Sequence, residues 1–388
     1  MRPDPVSPSE IRVGEHRGTA RHLAKRPGIR LATFEDYEQI AMVEARHGLK
    51  IRPRVQWLSL WLDNPAYHQL PNWPIGWVVE DENRNIAGSL GNVPAFCFLG
   101  GKRYVCAAGR GWAVDVKYRA LSVMLLAYQL RQRDADMNVV TTPSTTTAAL
   151  CTQLGWCRVP VGQWDTSGFW ITNYAKAVQD YLHAKTPKFI STVVNTLLSP
   201  PLRLKDALGR RPLAIRADHQ LEWAAGFDSR FDCLWREFIG KHPGLFLADR
   251  NCATLRWHYT NALETGRVWI LTASAGGRLT AFAVFERREI PALGLSRMLL
   301  VDFLSLAKDA RLAAAMINHA LDRCRAEGIH ILETVGSWME KLHSIQPPPH
   351  RRSLDVWSYL YRITNPELER ALDDSSWYPT QFDGDASL

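Results

Sequence analysis

The order of apolar and polar positions changes period several times along the chain. Up to about residue 27, prolines and charges alternate with little periodicity, which predicts a poorly ordered arm. Ile29-Arg-Leu-Ala32 reads as a short strand. Phe34-Glu-Asp then opens a helix in which Tyr37, Ile40, Ala41 and Val43 recur near helical spacing. Val55, Leu58 and Leu62 mark one side of a second helix that begins at Pro53, a residue suited to a first helical turn.

The period then shortens to two. Gly76–Glu80 reads as a strand, Asp81–Asn85 as a polar turn, Ile86–Phe98 as a second strand, and Lys102–Val116 as a third after Gly100-Gly101. A helix is expected from Arg119 to Gln132, followed by the strand Met137–Thr141. Ser144 can cap a further short helix that reaches Leu154 and stops at Gly155. Strands over Trp156–Val159 and around Gly168–Ile171 close this half.

The second half repeats the order. A hairpin spans Arg267–Leu271 and Leu279–Glu286, and Met298–Asp302 ends a strand as Trp112–Asp115 does. Helix 310–326, strand Ile329–Glu333, a short helix near 337–344 and strand 355–362 complete the second copy. Between the copies, residues 176–216 carry eight Lys/Arg beside an apolar helical stripe from Phe189 to Leu198. Such a stripe packs on a neighbouring domain or touches an anionic membrane surface, here through 186–211. The expected units are an arm at 1–27, domains at 28–175 and 227–365, a basic linker at 176–226, and a tail at 366–388.

Composition narrows the partners. With 388 residues and a net charge of +8, the chain is long enough for two or three domains and suits an anionic partner. Met1–Glu10 lacks an apolar signal core, and no apolar run approaches the ~18 residues that span a bilayer. The seven cysteines are scattered and include no C-x-x-C pair, which predicts buried thiols in a reducing cytoplasm. The histidines show no metal spacing, so no metal is expected. No P-loop or G-x-S-x-G elbow occurs, and Gly109-Arg-Gly111 lacks the third glycine of a dinucleotide fingerprint.

The segment with the most chemistry is Val114-Asp-Val-Lys-Tyr-Arg-Ala-Leu-Ser-Val-Met-Leu-Leu126, where a strand ends and a helix begins. A helix start offers unpaired N–H groups and a positive dipole, suited to phosphate. This loop has no glycine. Val114, Tyr118 and Arg119 match the Val-x-Pro-x-Tyr-Arg-Gly stretch of the GNAT superfamily of acyl-CoA-dependent N-acyltransferases, with Val116 and Ala120 in place of its Pro and Gly. Ile29–Asp36 and Leu154-Gly-Trp156 resemble further motifs of that family. Phe231–Arg236 and Leu255–Tyr259 resemble motifs of a two-copy bacterial subgroup.

The resemblance implies an α/β (α+β) chain of two GNAT-like domains in tandem, each a mixed, mainly antiparallel sheet flanked by helices. It implies transfer of an acyl group, acetyl first, from acyl-CoA to an amine on a small molecule or protein. Acetyl-CoA or another acyl-CoA would be the co-substrate, held by Val114, Val116, Arg119, Ala120, Ser122 and Val123, with Lys117 a second phosphate contact and the Ser122 and Val123 N–H groups free. Asp115 and Glu80 are the candidate carboxylates for taking the amine's proton. The helix that often carries a catalytic Tyr in the family, Ser144–Leu154, has none and holds Cys151. In the second copy the loop after Asp302 also lacks glycine, leaving Asp302 as a substrate ligand or a structural residue. Two other functions fit the same pattern: a peptidyltransferase-like protein using aminoacyl-transfer RNA, and a binding module without catalysis.

Overall fold

The computed structural model describes residues 26–160, 166–174, 176–178, 219–307, 310–335, 348–353 and 359–384. The N-terminal arm, the basic stripe and the helix expected near 337–344 lie outside the described residues. The first half begins with β1 (Gly28–Leu31), α1 (Tyr37–Arg46), α2 (Arg54–Leu62) and α3 (Pro65–His68). The strands β2 (Gly76–Glu80), β3 (Ile86–Leu99) and β4 (Lys102–Val114) follow as a meander. Then come α4 (Ser122–Leu130), β5 (Met137–Val140), α5 (Thr145–Gln153), β6 (Cys157–Arg158) and β7 (Thr166–Ile171).

The second half starts with β8 (His219–Ala224), α6 (Ser229–Lys241), β9 (Leu247–Ala248) and α7 (Cys252–Glu264). Its meander is β10 (Val268–Ala275), β11 (Arg278–Ile290) and β12 (Leu295–Ser305). It ends with α8 (Ala310–Ala326), β13 (Ile331–Val335), β14 (His350–Ser353), β15 (Leu360–Ile363) and α9 (Pro366–Ala371).

These strands form two mixed, mainly antiparallel sheets. One runs β1-β2-β3-β4-β5-β15-β6 with β9 paired to β3, and the other β14-β7-β13-β12-β11-β10-β8. The parallel pairs are β4 with β5 and β12 with β13, each separated by one crossover helix, α4 or α8. The order of elements read from the sequence is therefore present twice.

Two late strands change places. β7, from the first half, lies between β13 and β14 of the second sheet, and β15, from the second half, lies between β5 and β6 of the first. The halves are thus stitched together by backbone hydrogen bonds as well as by side-chain packing. The tail is part of this junction: Trp377 and Phe382 belong to the largest core cluster, and Phe382 donates its N–H to the Val301 carbonyl.

Several sequence expectations need adjustment. The strand expected to end at Asp302 continues to Ser305, so Asp302 lies inside β12 and is fully buried. The helix expected from Arg119 is a 3-10 turn over Val116–Leu121 followed by α4. Met124, whose helical spacing with Leu121, Leu125 and Tyr128 favours the core, faces outward at 47% exposure, since Leu125 and Leu126 hold the core side of α4. Of the cysteines, Cys157 and Cys233 are exposed. Trp57, Trp61, Trp73 and Trp77, clustered in sequence around the first hairpin, are buried as core packing requires and do not line an exposed acceptor groove. Among the described residues no helix is long and apolar enough to cross a membrane.

Candidate functional site

The site is built by a strand that outruns its neighbour. β4 pairs with β5 only over Cys106–Ala108 against Met137–Val139, then continues to Val114. From Gly109 onward the β5-facing edge of β4 has no strand partner among the described residues, so its backbone donors and acceptors line an opening. A bulge between Ser89/Ala113 and Gly91/Arg110 twists β4 at this point. Gly111, at the bulge, has φ +62°, which a residue with a side chain adopts at a cost.

Helices cover the opening from opposite faces. α1 packs on β3 and β4 within the largest core cluster, and α4 packs over Trp77, Val79, Leu90 and Val114. Trp112 bridges this second cluster and one containing Leu126, Cys151, Trp156 and Val140. The indole Nε1 atoms of Trp112 and Trp156 and both amide atoms of Asn138 are buried there without a hydrogen-bond partner.

The loop between β4 and α4 is held by ion pairs. Asp115 stands at its start, with Oδ2 2.7 Å from Arg46 Nη2 and Oδ1 3.1 Å from His47 Nε2. Burial pushes this carboxyl up, but the Arg46 and His47 hydrogen bonds outweigh it and hold the group below its usual range. Lys117 Nζ lies 3.0 Å from Glu82, which also accepts from the Tyr118 hydroxyl. The Tyr118, backbone and Lys117 hydrogen bonds bring the Glu82 carboxyl down to about 2. Lys117 is thereby committed to the β2–β3 turn, while Arg119 is exposed and its side chain makes no hydrogen bond or ion pair among the described residues.

The other candidates are placed as follows. Val114 ends β4 at the buried side of the opening, and Val116, Ala120 and Val123 are exposed on the loop and first turn of α4. The Ser122 N–H is not free: it donates to the Arg119 carbonyl. Glu80 is buried and bound by Arg30 at 2.7 Å and by Arg84, hydrogen bonds that hold its carboxyl low. It belongs to a network with Asp36 that ties β1 to the first helix. In the second half, Asp302 is taken by Arg250 at 3.0 Å and by the Thr380 hydroxyl, so it is a structural residue.

Sequence reasoning passed over Glu44. It sits on α1 with Tyr37, Ile40 and Val43 on the buried face, at i+4 from Ile40 and i+7 from Tyr37. A carboxylate on an otherwise apolar stripe is the signal that was available. A Cβ on Gly111 would collide with its Oε1, so the carboxylate rests directly on the β4 bulge. Its nearest cation is Arg110 at 3.6 Å, and burial raises its pKa against the pull of Arg110 and Arg52.

The residues of the loop after β4 leave Arg119 exposed just before α4. They do not form a glycine cradle. No protein-family profile and no curated protein sequence matches this chain. Solved structures do match in fold. A GCN5-related N-acetyltransferase from Anabaena variabilis superimposes at TM-score 0.55 and 14% identity over 87% of this chain and 73% of its own. A GCN5-related N-acetyltransferase from Kribbella flavida gives 0.55 and 13% over 88% and 72%, and N-myristoyltransferase from Saccharomyces cerevisiae gives 0.50 and 8% over 87% and 83%. The chain has the GNAT fold, with its repeated unit spread over two sheets.

Proposed function

We propose that the protein is an N-acyltransferase whose first half takes an acyl group from acyl-CoA and passes it to an amine. The observation that carries this is the edge of β4 from Gly109 to Val114, which has no strand partner among the described residues on its β5 side. Val114, Val116, Ala120 and Val123 would flank the arm, and Arg119 would meet phosphate at the start of α4. When bound, acyl-CoA supplies an activated acyl carbon. The chain's own contribution is positional: β4 backbone N–H groups face the acyl oxygen, and the ion pairs of Asp115 and Glu82 hold the loop in place.

Thermal unfolding tests this reading. Acetyl-CoA, then longer acyl-CoAs, at ~100 times the dissociation constant should stabilise the protein by about 2.7 kcal/mol, with CoA and ATP as controls. Arg119→Ala should abolish the shift. A second reading, a binding module without catalysis, is favoured by one observation: the Ser122 N–H, a donor the phosphate would need, is spent on the Arg119 carbonyl. Absence of any shift at millimolar acyl-CoA would select it. Nothing among the described residues favours the transfer-RNA reading, because its basic linker lies outside them.

A further inference from the structure

The crossover helix α4 departs from the usual division of a surface helix into an apolar and a charged side. Ser122–Leu130 contains no charged residue, and from Val116 to Arg133 the sequence has four Lys/Arg and no Asp or Glu. A helix that is apolar all round is ordinarily buried all round. α4 is buried on one side only, through Leu125, Leu126 and Gln129. Its outer side is Val123, Met124 and Tyr128, at 38%, 47% and 40% exposure, with Val116 at 70% on the turn before it. Ala120 and Arg131 are exposed and extend this row at its two ends, four positions before Met124 and three after Tyr128. Other helices follow the ordinary rule: exposed positions of α6 include Arg236 and Lys241, and those of α8 include Arg311 and Asp322.

Cations stand at both ends of the apolar row. Arg119 precedes it, and Arg131 and Arg133 follow it. All three are exposed, and their side chains make no hydrogen bond or ion pair among the described residues. Of the carboxylates that bound this stretch, Asp115 is engaged by Arg46 and His47, and Asp134 is exposed. Glu82 is engaged by Lys117. An unpartnered apolar helix face between unpaired cations matches an anionic phospholipid surface, where hydrocarbon lies beneath negative headgroups. Tyr128 suits the same boundary, with its apolar ring and polar hydroxyl. A nucleic acid would meet the guanidinium groups but has no hydrocarbon for Val123 and Met124.

We infer that α4 docks the protein on an anionic phospholipid membrane, lying flat with Met124 and Tyr128 among the headgroups and Arg131 and Arg133 against lipid phosphate. Arg119 is left to the acyl donor. This face is separate from the basic stripe at 186–211, and it stands whether or not the protein binds acyl-CoA. Because α4 covers one side of the β4 opening, docking sets that opening beside the lipid–water boundary.

Sedimentation of the full chain with vesicles tests the inference, comparing phosphatidylglycerol mixed equally with phosphatidylcholine against phosphatidylcholine alone. The mixed vesicles should bind at least tenfold more tightly. Raising salt from about 0.05 M to about 0.5 M should release most of the protein, because the Debye length falls to about 4–5 Å. Met124→Glu/Tyr128→Glu should weaken binding at least tenfold, and Arg131→Gln/Arg133→Gln at least fivefold, with unchanged circular dichroism in both. Arg278→Gln/Arg287→Gln, an equal loss of charge in the second half, should leave binding within about twofold. If the glutamate variant does not fold, Met124→Gln/Tyr128→Gln, polar without charge, should still weaken binding at least threefold.

No binding to the mixed vesicles would overturn the inference. Binding that survives both α4 variants would overturn it too, by placing the contact elsewhere on the chain. Equal binding to phosphatidylcholine alone would remove the role of the arginines and with it the anionic partner. Binding of transfer RNA that needs Arg131 and Arg133, without vesicle binding, would assign those residues to nucleic acid instead.

Discussion

Arg250 Nε and Asp302 Oδ2 lie 3.0 Å apart with both side chains wholly buried, at the point where the tail passes between the two sheets. Arg250 also reaches Thr380 at 3.0 Å and Asp383 at 3.4 Å, so one guanidinium joins α7's approach, β12 and the tail. Burying an ion pair gains little over a well-packed apolar contact, but removing one partner strands the other. Arg250→Leu should therefore destabilise the protein by about 3–5 kcal/mol in urea unfolding. The double variant Arg250→Leu/Asp302→Leu should recover part of that loss, and a purely additive result would show that the pair is not coupled.

The tail supplies a separate prediction through Phe382. Its ring packs 4.3 Å from His258 and 6.0 Å from Tyr259 by centroid, with the Arg250 guanidinium 4.7 Å above it. Truncating a buried phenylalanine costs about 3–5 kcal/mol. Phe382→Ala should lose that much, while Tyr128→Ala, at a residue 40% exposed on α4, should stay within about 0.5 kcal/mol. Equal stability of the two would mean that the tail does not contribute to the core.

His258 makes the junction sensitive to acid. Burial, with Arg52 and Arg250 nearby, brings its imidazole down to about 3 in the folded protein. The unfolded chain binds a proton near pH 6.5 and the folded chain does not. Folding stability should therefore fall as pH drops from about 6.5 towards 3, by at most about 1.4 kcal/mol per pH unit, because the two states differ by one proton. His258→Gln should flatten the dependence of the urea midpoint between pH 6.5 and 5. An unchanged slope would assign the acid sensitivity to other groups.

Much of the fold was legible because local rules governed it. Gly100-Gly101 and Gly276-Gly277, all at positive φ, turn two hairpins as their residue type implies, and helix 310–326 was read to the residue. The exchange of β7 and β15 was not legible, because a strand's period shows which face is buried and not which sheet receives it. The sequence marked 366–388 only as a tail after the second domain. Its burial depends on Arg250, more than a hundred positions earlier. At the candidate site, the loop was found by its resemblance, whereas Glu44 emerged only when α1 met the Gly111 bulge. The bulge places φ +62° where the glycine allows it, and no spacing rule links positions 44 and 111.

Asp115 separates positioning from proton transfer. Both its oxygens are engaged by Arg46 and His47, and its carboxyl is held below the usual range, which makes it a weak proton acceptor. The pair is half-exposed, so its loss should change stability by no more than about 1 kcal/mol. Asp115→Asn should instead loosen the loop that carries Arg119, weakening acyl-CoA binding severalfold while kcat at saturating donor stays within about fivefold. Arg46→Gln, which leaves the carboxylate in place and removes its anchor, should reproduce the weaker binding. If Asp115→Asn lowers kcat by 100-fold with donor affinity intact, Asp115 takes the proton itself. Acyl-CoA titration followed by single-turnover thiol release distinguishes the two, because the first reads the loop and the second reads the proton.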